Sequence, residues 1–392
     1  MHLANGRHLA YCTNIHRGES WEEILRALKH QTLAVRDRIA VPGTPYAIGL
    51  RLSAAAAQEL KDRQRLAEFR RWLERESCYV FTINGFPYGR FHGGRVKEQV
   101  YVPDWTTRER VEYTCLLADI LAEIVPAGVE GSISTVPVSF KAFGLGEEAL
   151  ARARGHLWEC VEHFERVSSR SGRHLHLGLE PEPLCTLETT SETVEFLERL
   201  GADRPQDARW RRHLGVNYDC CHLAIQFESA AQSLGRLHER GILLSKVHLS
   251  NALTVRPDTE ARSALEAFTE DTYLHQVVAR GEDGTFSRFG DLPAALEDAR
   301  KGGASRATEW RIHFHVPLHH LPSGVFGTTS EHVADVLDWL RDHPGVGSHL
   351  EMETYTWEVL PPEIKSRSVT DQLSNEYLWT FDQLRNRKQL LA

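Results

Sequence analysis

The chain predicts a closed parallel (β/α)8 barrel with a long excursion between its seventh and eighth strands. Three observations carry this. First, strand-like and helix-like runs alternate eight times along 392 residues, a length that suits one barrel with insertions. Second, five segments end in acids or imidazoles: HLHLGLEPE (174–182), LGVNYDCCH (214–222), ILLSKVHLSN (242–251), WRIHFHVPLHH (310–320) and SHLEMETYTW (348–357). Ligand types converging from several strand ends are what one metal centre at a barrel mouth requires. Third, no Gly-x-Gly-x-x-Gly or Walker loop follows any strand, which disfavours an open doubly wound nucleotide-binding sheet.

In chain order, residues 8–16 read as strand one, and Ser20 with Glu23 forms a capping box for an amphipathic helix running to about Ile39. The prolines from Pro42 to Pro45 break the chain before strand two, 46–52, and Ser53 caps an Ala-rich helix reaching about Glu76. Strand three is 78–84, followed by a Gly- and aromatic-rich loop, 85–94, of the kind that often carries function. Helices at about 106–125 and 147–169 flank strand four, 131–136, and strand five is 174–180. A helix at about 192–200 leads to strand six, which ends at Asp219. Another at about 224–240 leads to strand seven, 242–248. Residues 254–308 read as an insertion rather than a domain, with a strand-like piece at 273–278, a Gly-rich turn at 281–284 and a helix near 293–301. Residues 310–316 return toward the mouth, a helix covers about 331–343, strand eight is 349–353, and 358–392 form a C-terminal helical segment. The whole chain, 1–392, thus reads as a single barrel domain.

Composition narrows the function classes. Hydrophobic residues at 41% and charged residues at 26% describe an ordinary globular protein, and no apolar run is long enough to span a bilayer. The start lacks the apolar core and cleavage site of a secretory signal, and seven cysteines without a C-x-x-C pair suit free thiols. Both lead us to expect a cytoplasmic protein. A net charge of −8 without a Lys/Arg block makes nucleic acid a poor partner on electrostatic grounds.

Period-two alternation assigns the faces. His174, His176, Gly178 and Glu180 share one side of strand five. Gly215, Asn217 and Asp219 do so on strand six, Lys246 and His248 on strand seven, and His349, Glu351, Glu353 and Tyr355 on strand eight. Any one of these is an unremarkable strand end, but four converging polar sets are not. Glu180, Asp219, His248 and Glu353 are the candidate ligands of a divalent ion, and their mixed oxygen and nitrogen donors suit Mn²⁺, Zn²⁺, Mg²⁺ or Co²⁺. Cys220 and Cys221 fit helix-start packing better. Lys246 and Glu351, each one step deeper than a ligand, are expected to pair beneath the metal, because either alone would be costly to bury.

The order Glu at strand five, Asp-x-x-His at strand six, His at strand seven and Glu at strand eight resembles the xylose isomerase-like TIM barrels, which include sugar isomerases, epimerases and endonuclease IV-type nucleases. Within them, Tyr11–Trp21 (YCTNIHRGESW), Asn84–Pro87 (NGFP) and Glu353–Pro361 (ETYTWEVLP) are similar to the EboE family of metabolite-traffic proteins. The resemblance implies a metal-dependent isomerase or epimerase in which Glu180 and Glu353 exchange a proton on opposite faces of a carbon beside a carbonyl, with the ion on Glu180, Asp219, His248 and Glu353. His222, with His16, Asn84 and His315, would contact substrate. The ligand would be a small metabolite, sugar-like or a secondary-metabolite precursor, and other proteins of the same pathway are the implied partners. The alternatives are a non-catalytic metabolite-binding protein and an endonuclease IV-like phosphodiester hydrolase. The nuclease reading is weakened by His313 standing where that group has Asp and by the lack of a His ending strand two, for which His92 is a loose substitute.

Overall fold

The structure is a computed structural model that describes residues 1–40, 43–320, 322–362 and 364–390. Pro42, read above as part of a chain break, lies outside the described residues. Among the described residues eight strands form one parallel sheet. They are β1 (His8–Tyr11), β2 (Tyr46–Arg51), β3 (Cys78–Asn84), β4 (Gly131–Thr135), β5 (Leu175–Leu179), β6 (Leu214–Asp219), β7 (Leu243–Leu249) and, after five strands of a second sheet, β13 (His349–Met352). The order β1-β13-β7-β6-β5-β4-β3-β2 leaves β1 and β2 at the two ends, and a parallel bridge from Cys12 to Gly49 joins them into a barrel. The outward faces carry Leu, Ile and Val, such as Leu177, Val216, Val247 and Leu350, buried against the surrounding helices. The inward faces carry the polar sets.

Local signals place the helices. The Ser20 capping box forms as expected, with Glu23 N–H donating to the Ser20 hydroxyl and the Glu23 carboxylate accepting from the Ser20 N–H. Ser53 caps Ala54–Leu60. The predicted helix to Glu76 is two, because the Asp62 carboxylate accepts from Gln64 and Arg65 N–H and so starts a new helix at Arg63. Strand one is shorter than expected. Beyond Tyr11 the chain turns into a 3₁₀ segment, Thr13–Ile15, so His16 does not continue the strand. The helix expected from about residue 224 also starts earlier, as Cys220–Ile225, and a second one follows at Ala230–Glu239. All seven cysteines are free, and no helix among the described residues is long and apolar enough to cross a membrane.

The chain leaves β7 through the single residue Ser250 and enters a five-stranded antiparallel sheet. This contains β8 (Asn251–Val255), β9 (Val277–Arg280), β10 (Phe286–Phe289), β11 (Glu309–Val316) and β12 (Phe326–Thr328), in the order β10-β9-β11-β8-β12. It has its own core, with Leu253, Phe268, Leu296, Trp310, Ile312 and Phe314 buried together. The sheet reaches past residues 254–308 at both ends, since β8 begins at Asn251 and β11 and β12 follow 308. The strand-like piece expected at 273–278 forms only from Val277. Pairing of β11 with β8 is irregular between Ile312 and Val316, and that kinked stretch presents His313 and His315 to the barrel.

Candidate metal centre and its pocket

Four side chains from four successive barrel positions meet at the mouth. Glu180 follows β5 directly, Asp219 closes β6, His248 lies near the end of β7, and Glu353 follows β13. One ligand atom from each lies within 4.8 Å of the others, and all four residues are buried. His248 Nδ1 stands 3.1 Å from Glu180 Oε1, 3.1 Å from Glu353 Oε2 and 3.4 Å from Asp219 Oδ2. Glu180 Oε2 and Asp219 Oδ2 are buried and make no hydrogen bond. Unpaired buried carboxylate oxygens are costly unless a cation meets them, so this donor set fits a divalent ion.

The electrostatics agree. Burial opposes charge on His248, but Glu353 and Glu180 outweigh it and hold the imidazole well above its ordinary range. Burial likewise opposes ionisation of Asp219, and His222 and His248 reverse it, keeping the carboxyl well below its ordinary value. Beneath, Lys246 Nζ donates to Glu351 Oε2 at 2.7 Å with both side chains fully buried, the ion pair anticipated from the sequence. Glu351 does more than expected there, because its Oε2 also lies 2.8 Å from His248 Nε2. A carboxylate behind an imidazole fixes which nitrogen faces forward and where the ring points. Against the cost of burial, Lys246 and His248 hold the Glu351 carboxyl at about 2.

A second polar group adjoins the first. His222 Nε2 lies 3.1 Å from His313 Nε2, which lies 3.3 Å from His315 Nε2, and His222 Nε2 is 3.9 Å from Asp219 Oδ1. Ligand atoms of Asp219, His222 and His315, and of Cys221, His313 and His315, form two further sets with metal-like spacing. His222 Nδ1 is held by the Pro181 carbonyl and His315 Nδ1 by the Glu353 carbonyl. Burial lowers His313 and His315, whereas Asp219 and Glu182 overcome it and raise His222.

Of the other residues predicted to meet substrate, Asn84 reaches the pocket and donates to Glu353 Oε1 at 3.1 Å. His16 is not brought to it. With the strand ended at Tyr11, its Nε2 faces the Tyr11 hydroxyl at 2.8 Å in a separate small cavity. His92 is no ligand either, being held between the Asn14 carbonyl and the Tyr273 hydroxyl. Three contributors went unrecognised in the sequence. Asn14 donates to Glu353 Oε1 at 2.8 Å, Glu182 accepts from the Tyr101 hydroxyl at 2.6 Å, and Tyr273 roofs the pocket from the second sheet's side. Glu180-Pro-Glu182 offered a signal for the acid, but nothing in the sequence marks Tyr101 and Tyr273 as pocket residues. Burial pushes the Glu182 carboxyl up to about 7.

No family model and no curated protein matches the chain. A solved xylose isomerase-like TIM barrel protein from Mycobacterium smegmatis, in complex with magnesium, is similar over 99% of both chains, with 14% identity and a TM-score of 0.52. The fold is the xylose isomerase-like TIM barrel. L-ribulose 3-epimerase matches 97% of this chain over 95% of its own, at 12% identity and a TM-score of 0.49. IolI protein with a bound zinc atom matches 97% over 98%, at 13% and 0.49. In this xylose isomerase-like barrel the candidate centre occupies the carboxyl ends of the strands, the face on which such barrels carry their chemistry.

Proposed function

We propose that this chain is a metal-dependent isomerase or epimerase of a small hydroxycarbonyl metabolite, built as one barrel domain in a cytoplasmic setting. The observation that carries the reading is the buried convergence of Glu180, Asp219, His248 and Glu353 with two carboxylate oxygens left unpartnered. These residues would hold the ion, which when bound supplies polarisation of a carbonyl and charge for a developing enediolate. Glu180 and Glu353 stand three strands apart in the ring, so their carboxylates reach the same space from different directions. One would take a proton from the carbon beside the carbonyl while the other returns it. Asn14 and Asn84 both donate to Glu353 Oε1 and orient that carboxylate. The magnesium named for the similar M. smegmatis barrel and the zinc named for IolI support a divalent ion without choosing one. The resemblance of the runs 11–21, 84–87 and 353–361 to the EboE family supports a role in handling secondary metabolites, with other pathway proteins as partners.

Elemental analysis tests the reading. The purified protein should carry about one divalent ion per chain, and Asp219→Ala or His248→Ala should remove it while circular dichroism stays folded. Full occupancy in both variants would take these residues out of the coordination sphere. The trio His222, His313 and His315 favours one second reading, a hydrolase with an additional ion. A stoichiometry near two, with metal-dependent cleavage of a phosphodiester lost in Glu180→Gln, would promote it.

A further inference from the structure

Polar demand in the pocket is confined to its floor. The buried side-chain atoms of its lining that lack a hydrogen bond, Asn14 Oδ1 and Glu180 Oε2, belong to the candidate centre or to a residue that touches it. The walls are different. Phe91, Tyr273 and Tyr355 form an aromatic trio with ring centroids 5.2–5.3 Å apart, and opposite them Tyr101 stacks on Phe140 at 4.7 Å with its ring plane tilted by 4°. The wall hydroxyls are already committed. Tyr101 donates to Glu182, Tyr273 meets His92 at 2.6 Å, and Tyr355 faces His313 at 3.5 Å. Lys97 is the one cation among the lining residues, and its ammonium is engaged by Asp291 at 2.6 Å and by the Glu270 carbonyl. The other ionisable groups of the lining are the acids Glu180, Glu182 and Glu353 and the imidazoles His222 and His313, all gathered about the candidate centre.

Each feature excludes a ligand class. A phosphorylated sugar would hold its phosphate away from the two oxygens at the floor, against walls whose one ammonium, Lys97, is already engaged, and desolvation makes that expensive. A hexose would chelate through two oxygens, and those of its other hydroxyls that reach the aromatic trio would go unmet, each costing about 1–3 kcal/mol. A compound with a flat apolar face incurs neither cost. Its ring would gain the stacking and area burial that such walls reward, and its two oxygens would meet the floor. The pocket, about 50 Å³, is open at its outer end, so a ring would lie along the trio and reach beyond it.

We infer that the substrate is an uncharged compound carrying an aromatic or similarly flat apolar ring beside a vicinal hydroxyl and carbonyl, and not a free or phosphorylated sugar. This rests on the isomerase reading for the pair of oxygens and on the walls for the ring.

The test is calorimetric titration of the Mn²⁺-loaded and the chelator-stripped protein with four probes: 2-hydroxyacetophenone, glycolaldehyde, D-fructose and D-fructose 6-phosphate. In the loaded protein the aryl probe should bind at least about tenfold tighter than fructose, the phosphorylated sugar should not bind, and glycolaldehyde should be weak. Phe91→Ala and Tyr273→Ala should lose most of the aryl preference, with glycolaldehyde affinity and metal content unchanged. Fructose or its phosphate binding as tightly as the aryl probe would overturn the inference while leaving the isomerase reading standing. A ring preference that persists unaltered without metal would uphold the inference about the walls and sink the metal-dependent reading. Binding of none of the four in either state would overturn the inference.

Discussion

Glu351 and Glu353 are separated by one residue and do different work. Glu353 faces the pocket, whereas Glu351 lies under His248 and against Lys246. Glu353→Gln should therefore lower metal occupancy and ligand binding with little change in melting temperature. Glu351→Gln leaves a buried lysine without its partner, a change that typically costs about 3–5 kcal/mol, and should show first in urea unfolding. Its contact with His248 adds a second expected effect, weaker metal retention, because the imidazole loses the group that orients it. Metal loss in Glu351→Gln with normal occupancy in Glu353→Gln would show that the two residues have exchanged roles. Period two was enough to place both acids on one face and to pair Lys246 with Glu351. It could not show the His248 contact, because reach across neighbouring strands depends on barrel stagger and not on position along one strand.

At the level of elements, the barrel closes where β2 passes closest to the centre. A Cβ at Gly49 would stand 1.9 Å from Glu351 Oε1 and 2.6 Å from the Tyr11 carbonyl, and Gly49 also makes the bridge to Cys12. Gly49→Ala should thus cost at least about 1–3 kcal/mol in chemical denaturation and lower metal affinity by displacing Glu351. Unchanged stability would mean that the β1–β2 seam can open without loss. The strand and helix order was legible because parallel strands buried on both faces and amphipathic helices write different periods. The course of residues 251–328 was not. A sheet of short antiparallel strands, one of them irregular, writes no clean alternation, and residues 310–316 read as returning toward the mouth without the sheet that delivers them. His16 was misplaced for a local reason, since a hydrophobic run can leave its strand through a 3₁₀ turn with no Gly or Pro to mark it.

At the scale of the whole molecule, one buried imidazole and one buried acid set opposing pH dependences. His332, hydrogen-bonded to the Tyr218 hydroxyl, is drawn by burial from 6.5 to about 4. It is neutral when folded, so its contribution is full above about 6.5 and drains away as the pH falls toward 4, amounting to about 3 kcal/mol in the acid limit. Glu376, which accepts from the Leu318 N–H and the Thr354 hydroxyl, is pushed by burial from 4.5 up to about 7 and works the other way, favouring the fold as the pH falls. His332→Gln should flatten the acid side of a melting-temperature profile between pH 6.5 and 4, and Glu376→Gln should steepen it. Equal slopes in both variants would exclude these two groups as the source.

Ser250 is the only residue between β7 and β8, and its hydroxyl donates to Asp219 Oδ1 at 2.7 Å while accepting from the Cys221 N–H. The upper sheet and the barrel are thus spliced at an atom that touches a candidate ligand. Anyone transplanting residues 251–328 as a cassette, to give this barrel a new roof, inherits a graft junction that doubles as an anchor for the acid below. Its geometry must be copied before the new roof is chosen.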